Sequence, residues 1–363
     1  MGLYQRIALP VLRRLDPETS HSLTLRLMAA LQPIPLALPA VARSHSFQDP
    51  RLTFTWRGLA FRNPVGVAAG VDKNGRVPRF LHAIGAGFIE VGTVTPKPQE
   101  GNPRPRVFRL PRDEAMVNHL GFPGEGAERL ARRLGGVRLS GTPLGVNIGK
   151  NAATPLDTAV QDYLVCLETL YPVAGYFVVN VSSPNTEGLT SLQARDALAA
   201  LTEAVVKKGR ELARAHAMPV KPLLVKVSPD LTDGELDAVI DVCLDQGIEG
   251  IVAVNTSTDP ALRDESSARL QGGLSGRPLR QRAVETVAAV RRRTPGDFFI
   301  VGVGGVFDAG DAWSLLRAGA NAVQMYTGLV YRGPGALGAI NRGLLARVEE
   351  AGLSGVADAV GRA

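Results

Sequence analysis

Leu223-Leu224-Val225-Lys226-Val227 runs into Ser228-Pro229, then into an amphipathic stretch over Asp233–Gln246, then into Gly250-Ile251-Val252-Ala253-Val254. Two short runs, apolar on both faces and joined by a helical pattern, read as neighbouring parallel strands of a buried sheet. The same unit recurs on either side. The other runs are Val65–Ala69, Phe88–Val91, Leu144–Ile148, Tyr176–Val181, Phe299–Val303 and Ala322–Met325. Ser191–Arg214, Arg280–Arg293 and Ala309–Ala318 supply further helical patterns. Eight such units predict an α/β protein built as a (β/α)8, or TIM, barrel. A doubly wound dinucleotide-binding sheet needs fewer strands and a GxGxxG after its first strand, and that motif is absent. Two connections are long, Thr95–Thr142 and Thr256–Pro278. Both are expected to carry extra elements over the site, with Arg106–Leu110 as a short strand.

The chain of 363 residues, 45% hydrophobic and 21% charged, has the composition of a folded protein. Its net charge of +7 suits anionic metabolites, phosphates or anionic lipid without choosing among them. Aromatic residues are only 5%, and no basic tail, zinc-finger spacing or RNA-binding signature is present, which speaks against a nucleic-acid partner. Cys166 and Cys243 lie in apolar stretches, form no CxxC pair and read as buried thiols. The scattered histidines contain no HExxH, so no metal is expected.

Residues 1–45 read as a separate helical segment, and 46–363 as the barrel. Leu3, Ile7, Val11, Leu12 and Leu15 recur near helical spacing. Asp16-Pro17-Glu18 breaks that helix and starts another, with Asp16 as N-cap and Pro17 in the first turn. Leu23, Leu27 and Leu31 form its stripe, and Pro33, Pro35 and Pro39 are expected to end it, giving a helical hairpin. Five arginines against Asp16 and Glu18 make the segment +3. Its uncharged run Leu27–Ala42 is 16 residues long and broken by three prolines, so it makes no ordinary membrane span. No secretory signal is apparent. The residues leave two readings open: a cap on the main domain, or a helix pair lying on a membrane.

Polar residues gather at the C-terminal ends of the predicted strands, where barrel chemistry is found. Those ends read Ala69-Gly70-Val71-Asp72-Lys73, Gly92-Thr93, Asn147-Ile148-Gly149, Asn180-Val181-Ser182-Ser183-Pro184-Asn185 and Asn255-Thr256-Ser257, followed by Tyr326-Thr327. A lone asparagine is a turn residue and a lone lysine a rim residue. Asn147, Asn180 and Asn255 converging with Lys73 and Lys226 instead suit a flat, anionic, hydrogen-bonding ligand. Gly302, Gly304 and Gly305 read as a phosphate site, with a helix beginning at Asp308-Ala309 expected to turn its N-terminus toward the anion.

In the order AAGVDKNG (68–75), EVGTVTPKPQ (90–99), NHLGF (118–122), GVNIGKN (145–151), NVSSPNT (180–186), KVSPDL (226–231), GGLSGRPL (272–279) and GVGG (302–305), the chain resembles the quinone-dependent class 2 dihydroorotate dehydrogenases. LDPETSH (15–21) resembles that class's amino-terminal extension. The resemblance implies oxidation of (S)-dihydroorotate to orotate in pyrimidine synthesis. FMN is the implied hydride acceptor and a membrane quinone, ubiquinone or menaquinone, the final acceptor. It places FMN against Ala68, Ala69, Gly70, Val71, Asp72, Lys73, Thr93, Asn147, Asn180, Lys226, Val254, Gly276, Gly304, Gly305, Tyr326 and Thr327. It places substrate against Lys73, Asn118, His119, Leu120, Gly121, Phe122, Asn180, Asn185, Asn255 and Thr256. Ser183 is the implied base, with Ser182 the residue most easily mistaken for it. Serine here, where soluble class 1 relatives carry cysteine, points to the quinone-linked class.

By the same resemblance, residues 1–40 frame the quinone tunnel and His21 and Arg109 border it; read alone, they are a helix-surface histidine and a loop-anchoring arginine. A monomer on the cytoplasmic face of the cell membrane is implied, in peripheral contact with lipid. Pro123, His119-Leu120 and Ser257 depart from the family's frequent residues. A related flavin reductase acting on a pyrimidine or on tRNA uridine is the rival enzyme reading, and a barrel that only binds phosphate or membrane is the non-enzymatic one. The catalytic cysteine expected of the tRNA-uridine enzymes is absent, and neither rival accounts for Lys73, Ser183 and the asparagines together.

Overall fold

In the computed structural model, residues 4–265 and 267–362 are described. The eight barrel strands are Val65–Val67, Ile89–Val94, Leu144–Ile148, Tyr176–Asn180, Leu223–Val227, Gly250–Ala253, Phe299–Val303 and Ala322–Met325. All are parallel, and each pairs with the next in chain order until the eighth closes on the first through Val323 and Val65. Four of the eight begin and end where the apolar runs do. Double-sided burial makes those runs mostly apolar, since one face packs inside the barrel and the other against the helices; Asn147, Lys226 and Gln324 are the exceptions.

The helices fall between the strands as the patterns predict, with Asp233–Gln246, Arg280–Arg293 and Ala309–Ala318 matching residue for residue. Thr232 starts the first of these with a capping box: its hydroxyl accepts from Glu235 N, and Glu235 accepts in return from Thr232 N at 2.8 Å. Ser191–Arg214 divides into a 3-10 turn, Leu189–Gln193, and a helix, Arg195–Ala215. Cys166 and Cys243 are free and buried.

Four short strands fall outside the predicted set: Phe54–Trp56, Leu59–Phe61, Ala115–Asn118 and Gly273–Gly276. A hairpin of Phe54–Trp56 and Leu59–Phe61 plugs the barrel at the strands' N-terminal ends, where Trp56 stacks on Phe299 at 4.2 Å and Phe54 on Phe61 at 4.6 Å. The opposite end is roofed by the two long connections. Val107–Leu110 and Ala115–Asn118 form a hairpin, and Gly273–Gly276 from the later connection adds to it as a third antiparallel strand. The expectation of extra structure there holds, but its joining into one sheet was not visible in either stretch alone.

The N-terminal segment differs from a simple hairpin. A π-helical turn, Tyr4–Ala8, leads into Leu9–Arg13; Leu3 lies outside the described residues. Pro17–Leu31 starts as predicted, with Asp16 accepting from Thr19 N at 2.9 Å and its carboxyl held below the usual range mainly by that bond. A further helix, Ala37–His45, follows. Pro39 therefore does not terminate the segment; it sits in a first helical turn, where its missing N–H goes unneeded.

Candidate active site and adjoining tunnel

The barrel's C-terminal mouth holds one cavity between the strand ends and the three-stranded roof. Ala68, Ala69, Gly70, Lys73, Thr93, Asn180, Lys226, Val254, Asn255, Thr256, Gly276, Gly304, Gly305, Tyr326 and Thr327 line it, with Ser183, Asn185, Asn118, Leu120, Gly121 and Phe122. Of the three strand-end asparagines expected at the mouth, Asn180 and Asn255 line the cavity. Asn147 does not.

Asn147 is completely buried one layer below. Its Oδ1 accepts from Thr93 Oγ1 at 2.5 Å and from Asn180 Nδ2 at 3.0 Å, and its Nδ2 donates to Glu90 at 2.8 Å. Asn147 thus fixes the orientation of two cavity residues. Val71 and Asp72 also stand off this cavity; Asp72 accepts from Arg76 N and Val77 N and shapes the turn that presents Lys73. His119 lies behind Asn185, with its Nδ1 3.3 Å from Asn185 Oδ1.

Glu90 carries the buried charge of this network. Besides Asn147 it accepts from Gln324 Nε2 at 2.7 Å, leaving Gln324 Oε1 without a protein partner. The side chain of Lys226, a residue 5% exposed, makes no hydrogen bond to another described residue and lines the cavity. Burial lowers its pKa while Glu90 opposes the shift. A buried ammonium and an unpaired acceptor lining one cavity make a place built to receive polar ligand atoms. Gln324, Ser275, Leu279 and Glu90 were missed by sequence reasoning. A glutamate or glutamine interrupting an otherwise apolar strand was the available signal.

Ser182 and Ser183 are separated by geometry. The Ser182 side chain is enclosed and bonded to Asn180 Oδ1 and Asn255 Nδ2. Ser183 lines the cavity, and its Oγ accepts from Asn185 N at 3.3 Å. Asn185 is in turn held by Asn118 Oδ1, which accepts from its Nδ2 at 3.0 Å. The loop below is tied by Gln99 Nε2, which donates to the carbonyls of Gly121 and Phe122. Pro123 extends that wall, and Ser257 turns its hydroxyl away to Asp230.

The expected phosphate end needs one correction. The helix Ala309–Ala318 is capped by its own side chains: Asp308 accepts from Gly310 N and Asp311 N, and Asp311 from Phe307 N. Its N-terminus is already satisfied by carboxylates and does not face the cavity as an anion site. Of the three glycines expected there, Gly304 and Gly305 line the cavity, whereas Gly302 packs against Leu315 and Ala320. Gly305 has φ +67°, and a Cβ there would lie 2.6 Å from Arg280 Cα. Thr327 and Gly328, which open a helix that no side chain caps, line the same end.

A second cavity lies between the N-terminal helices and the barrel, lined by Leu9, Leu12, His21, Leu25, Met28, Arg109 and Leu329 among others. Lys73, Leu120, Pro123 and Tyr326 border both cavities, so the two meet there. His21 keeps a surface open to the cavity but is removed from bulk water; desolvation, then Lys73, pushes its pKa down to about 3. Arg109 lines the wall and also anchors it, donating to Leu15 O at 2.9 Å and to Ser20 Oγ. Burial brings Lys73 down to about 8, against the opposing pull of Glu18.

Fold and site together define a (β/α)8-barrel protein whose mouth presents amides, ammonium groups and a serine to one ligand space. The family model described as dihydroorotate dehydrogenase matches residues 51–348. The dihydroorotate dehydrogenase (quinone) of Acidithiobacillus ferrooxidans is 47% identical over 90% of each chain. That of Deinococcus deserti is 45% identical over 99% of each. Among solved structures, a ligand-free dihydroorotate dehydrogenase of Eimeria tenella superposes with TM-score 0.86 at 38% identity, covering 96% of this chain and 99% of that one. The complex of the Eimeria tenella enzyme with ferulenol gives the same TM-score at 37% identity, over 96% and 95%. The chain belongs to the dihydroorotate dehydrogenase family.

Proposed function

We propose that this chain oxidises (S)-dihydroorotate to orotate with FMN as hydride acceptor, passing the electrons to a membrane quinone, in pyrimidine synthesis. The observation that carries the reading is Ser183 opening into the same cavity as Lys73, Lys226, Asn180, Asn185 and Asn255. The printed names of the bacterial relatives agree with it.

The residues present fit FMN. Lys226 and the unpaired Gln324 Oε1 would meet the polar edge of its ring, and Gly276, Gly304, Gly305 and Thr327 would hold its phosphate. Bound FMN supplies the two-electron chemistry that amino-acid side chains lack. The protein's own part is placement and proton handling. Lys73, Asn118, Asn185, Asn255 and Thr256 hold the substrate's carboxylate and ring amides. Ser183 Oγ takes the proton from substrate C5. A serine hydroxyl is a weak base: as Oγ takes the C5 proton it gives up its own hydroxyl proton toward solvent, and the Asn185 N–H bonded to Oγ favours that loss by stabilising negative charge on the oxygen.

Residues 1–45 form the quinone-access segment in this reading, and 46–363 the catalytic barrel. Ubiquinone or menaquinone reaches the shared border through the second cavity. Seven of the twelve exposed large apolar side chains among the described residues lie between Ile7 and Leu36. With Arg6, Arg13 and Arg14 beside them, they suit peripheral attachment of a monomer to the cytoplasmic face of the cell membrane. No described helix is long and apolar enough to cross a membrane. Anaerobic mixing with dihydroorotate, followed by addition of quinone, tests the reading. Flavin bleaching and then recovery is the expected result; an unchanged flavin spectrum in folded holoprotein overturns it.

A further inference from the structure

Arg106 joins the N-terminal segment to the loop over the substrate site, beside Arg104 and Arg109, which also contact that segment. Arg106 is 5% exposed. Its Nη1 donates to Glu100 O at 2.6 Å and Asn102 O at 2.7 Å, so it grips the loop over the mouth from inside. The rest of its guanidinium is held by Glu18, in the first turn of Pro17–Leu31, through Nε at 3.1 Å and Nη2 at 2.9 Å. Glu18 is partly exposed and also pairs with Arg104 Nε at 3.3 Å, whereas the Arg106 guanidinium is buried; loss of Glu18 therefore leaves a buried cation without its carboxylate.

The gripped loop ends on the proton-accepting turn. Asn102 N donates to Leu120 O at 3.0 Å, and Asn102 Nδ2 donates to Asn185 O at 2.9 Å. Asn185 N donates to Ser183 Oγ. The Arg106 carbonyl itself accepts from His119 N at 2.7 Å, and His119 stands against the Asn185 side chain. A continuous set of contacts therefore runs from Glu18 through Arg106 and Asn102 to Asn185 and Ser183.

We propose that Arg106, clamped by Glu18, is a positioning residue for the Ser183–Asn185 turn, so that the N-terminal helix sets substrate affinity as well as quinone access. This rests on the dihydroorotate reading above. Arg106 and Glu18 line the second cavity but not the first; toward the substrate site Arg106 acts through Asn102. Glu18 also favours the charged form of Lys73. Arg106→Lys is therefore the primary variant: it keeps a cation at position 106 but loses the fork that spans Glu18, Glu100 and Asn102.

The test is orotate affinity by calorimetry on the holoprotein, with flavin content and thermal midpoint as folding controls. Arg106→Lys is expected to weaken orotate about tenfold, with Glu18→Gln following in the same direction by a smaller factor. Reoxidation of pre-reduced enzyme by quinone should stay within about twofold for Asn102→Ala, whose residue lines neither cavity. Asn102→Ala should weaken orotate similarly, and adding Arg106→Lys to it should cost little more, because both act along one route. Multiplying effects in the double variant, or orotate affinity within twofold of the parent in Arg106→Lys, overturns the proposal. If Arg106→Lys does not fold, the cycle is run with Glu18→Gln and Asn102→Ala and read by the same criterion. Parent holoprotein that does not bind orotate at all refutes the underlying functional reading instead.

Discussion

Ser182 Oγ lies 3.0 Å from Asn255 Nδ2 and accepts its hydrogen bond, whereas Ser183, the next residue, turns its hydroxyl into the cavity. The two serines therefore do different work. Replacing Ser183 by alanine removes the proton acceptor without disturbing the buried amides. Flavin reduction by dihydroorotate should fall by roughly 10²- to 10⁴-fold, the usual contribution of a positioned base, with bound flavin retained. Ser182→Ala instead frees Asn255 and Asn180 to reorient. It should lower the thermal midpoint and weaken orotate while keeping a larger share of the reduction rate. Stopped-flow flavin bleaching on both variants separates the roles; near-parental bleaching in Ser183→Ala removes the base assignment.

Lys73 gives a pH dependence with a definite sign. Its pKa is brought from 10.5 down to about 8, first by desolvation. Below about 8 the ammonium is charged and attracts the carboxylate of orotate; above it the attraction fades. Orotate affinity should therefore decline as pH rises through about 8, and binding near that pH should take up protons, because the anion restores the lysine's charge. Calorimetry in buffers of different ionisation enthalpy measures that uptake. Ligand-free stability moves the other way. Between about 8 and 10.5 the unfolded chain binds more protons at this lysine than the folded one. This lysine's contribution to stability therefore rises with pH across that window. Lys73→Met should flatten both responses.

Gly305 tests the phosphate end. Its φ of +67° and the 2.6 Å approach to Arg280 Cα leave no room for a Cβ. Gly305→Ala must shift the turn that brings its backbone to the cavity. The purified variant should retain its fold yet carry much less flavin, and added FMN should bind at least tenfold more weakly in a fluorescence titration. Parental flavin content would show that the cofactor's phosphate sits elsewhere.

Much of the barrel was legible because double-sided burial leaves a compositional trace. Phe299–Val303 is apolar throughout and Leu144–Ile148 is apolar but for Asn147, and the same residues are strands. The roof was not legible in its pairing. Gly273–Gly276 adds to Ala115–Asn118 across more than 150 residues, and a Gly-Leu-Ser-Gly stretch carries no strand signature of its own. The plug hairpin was missed for a related reason: its strands have three residues each and gain their order from stacking on Phe299. At the site, Asn180 and Asn255 could be placed by strand ends. Asn147 carried the same signal yet sits a layer deeper. Which polar side chain reaches the ligand and which supports it is decided by packing depth, and the one-dimensional pattern does not encode that. The helix at Ala309 shows the same limit, since Asp308 and Asp311 satisfy an N-terminus that the sequence had assigned to a phosphate.

Residues 1–40 should matter unequally to the two half-reactions. Their helices form one wall of the second cavity, which meets the first at Lys73, Leu120, Pro123 and Tyr326. Removing them takes away that wall, the exposed apolar side chains from Ile7 to Leu36 and the Glu18 clamp on Arg106. Quinone reduction should therefore fall by roughly 10²-fold or more, the size expected when a substrate is no longer held in register, while orotate binding weakens only about tenfold. Attachment to anionic lipid vesicles should be lost with it. His21 adds a separate signature in the full-length protein. With its pKa pushed to about 3, the ring stays neutral between pH 5 and 8 and contributes no titration to the quinone step there. Reoxidation rates that rise or fall with an apparent pKa near 6.5, and lose that dependence in His21→Asn, would place a charged imidazole in the tunnel. Equal loss of both half-reactions on truncation would mean that the helices serve the barrel's stability and not quinone access.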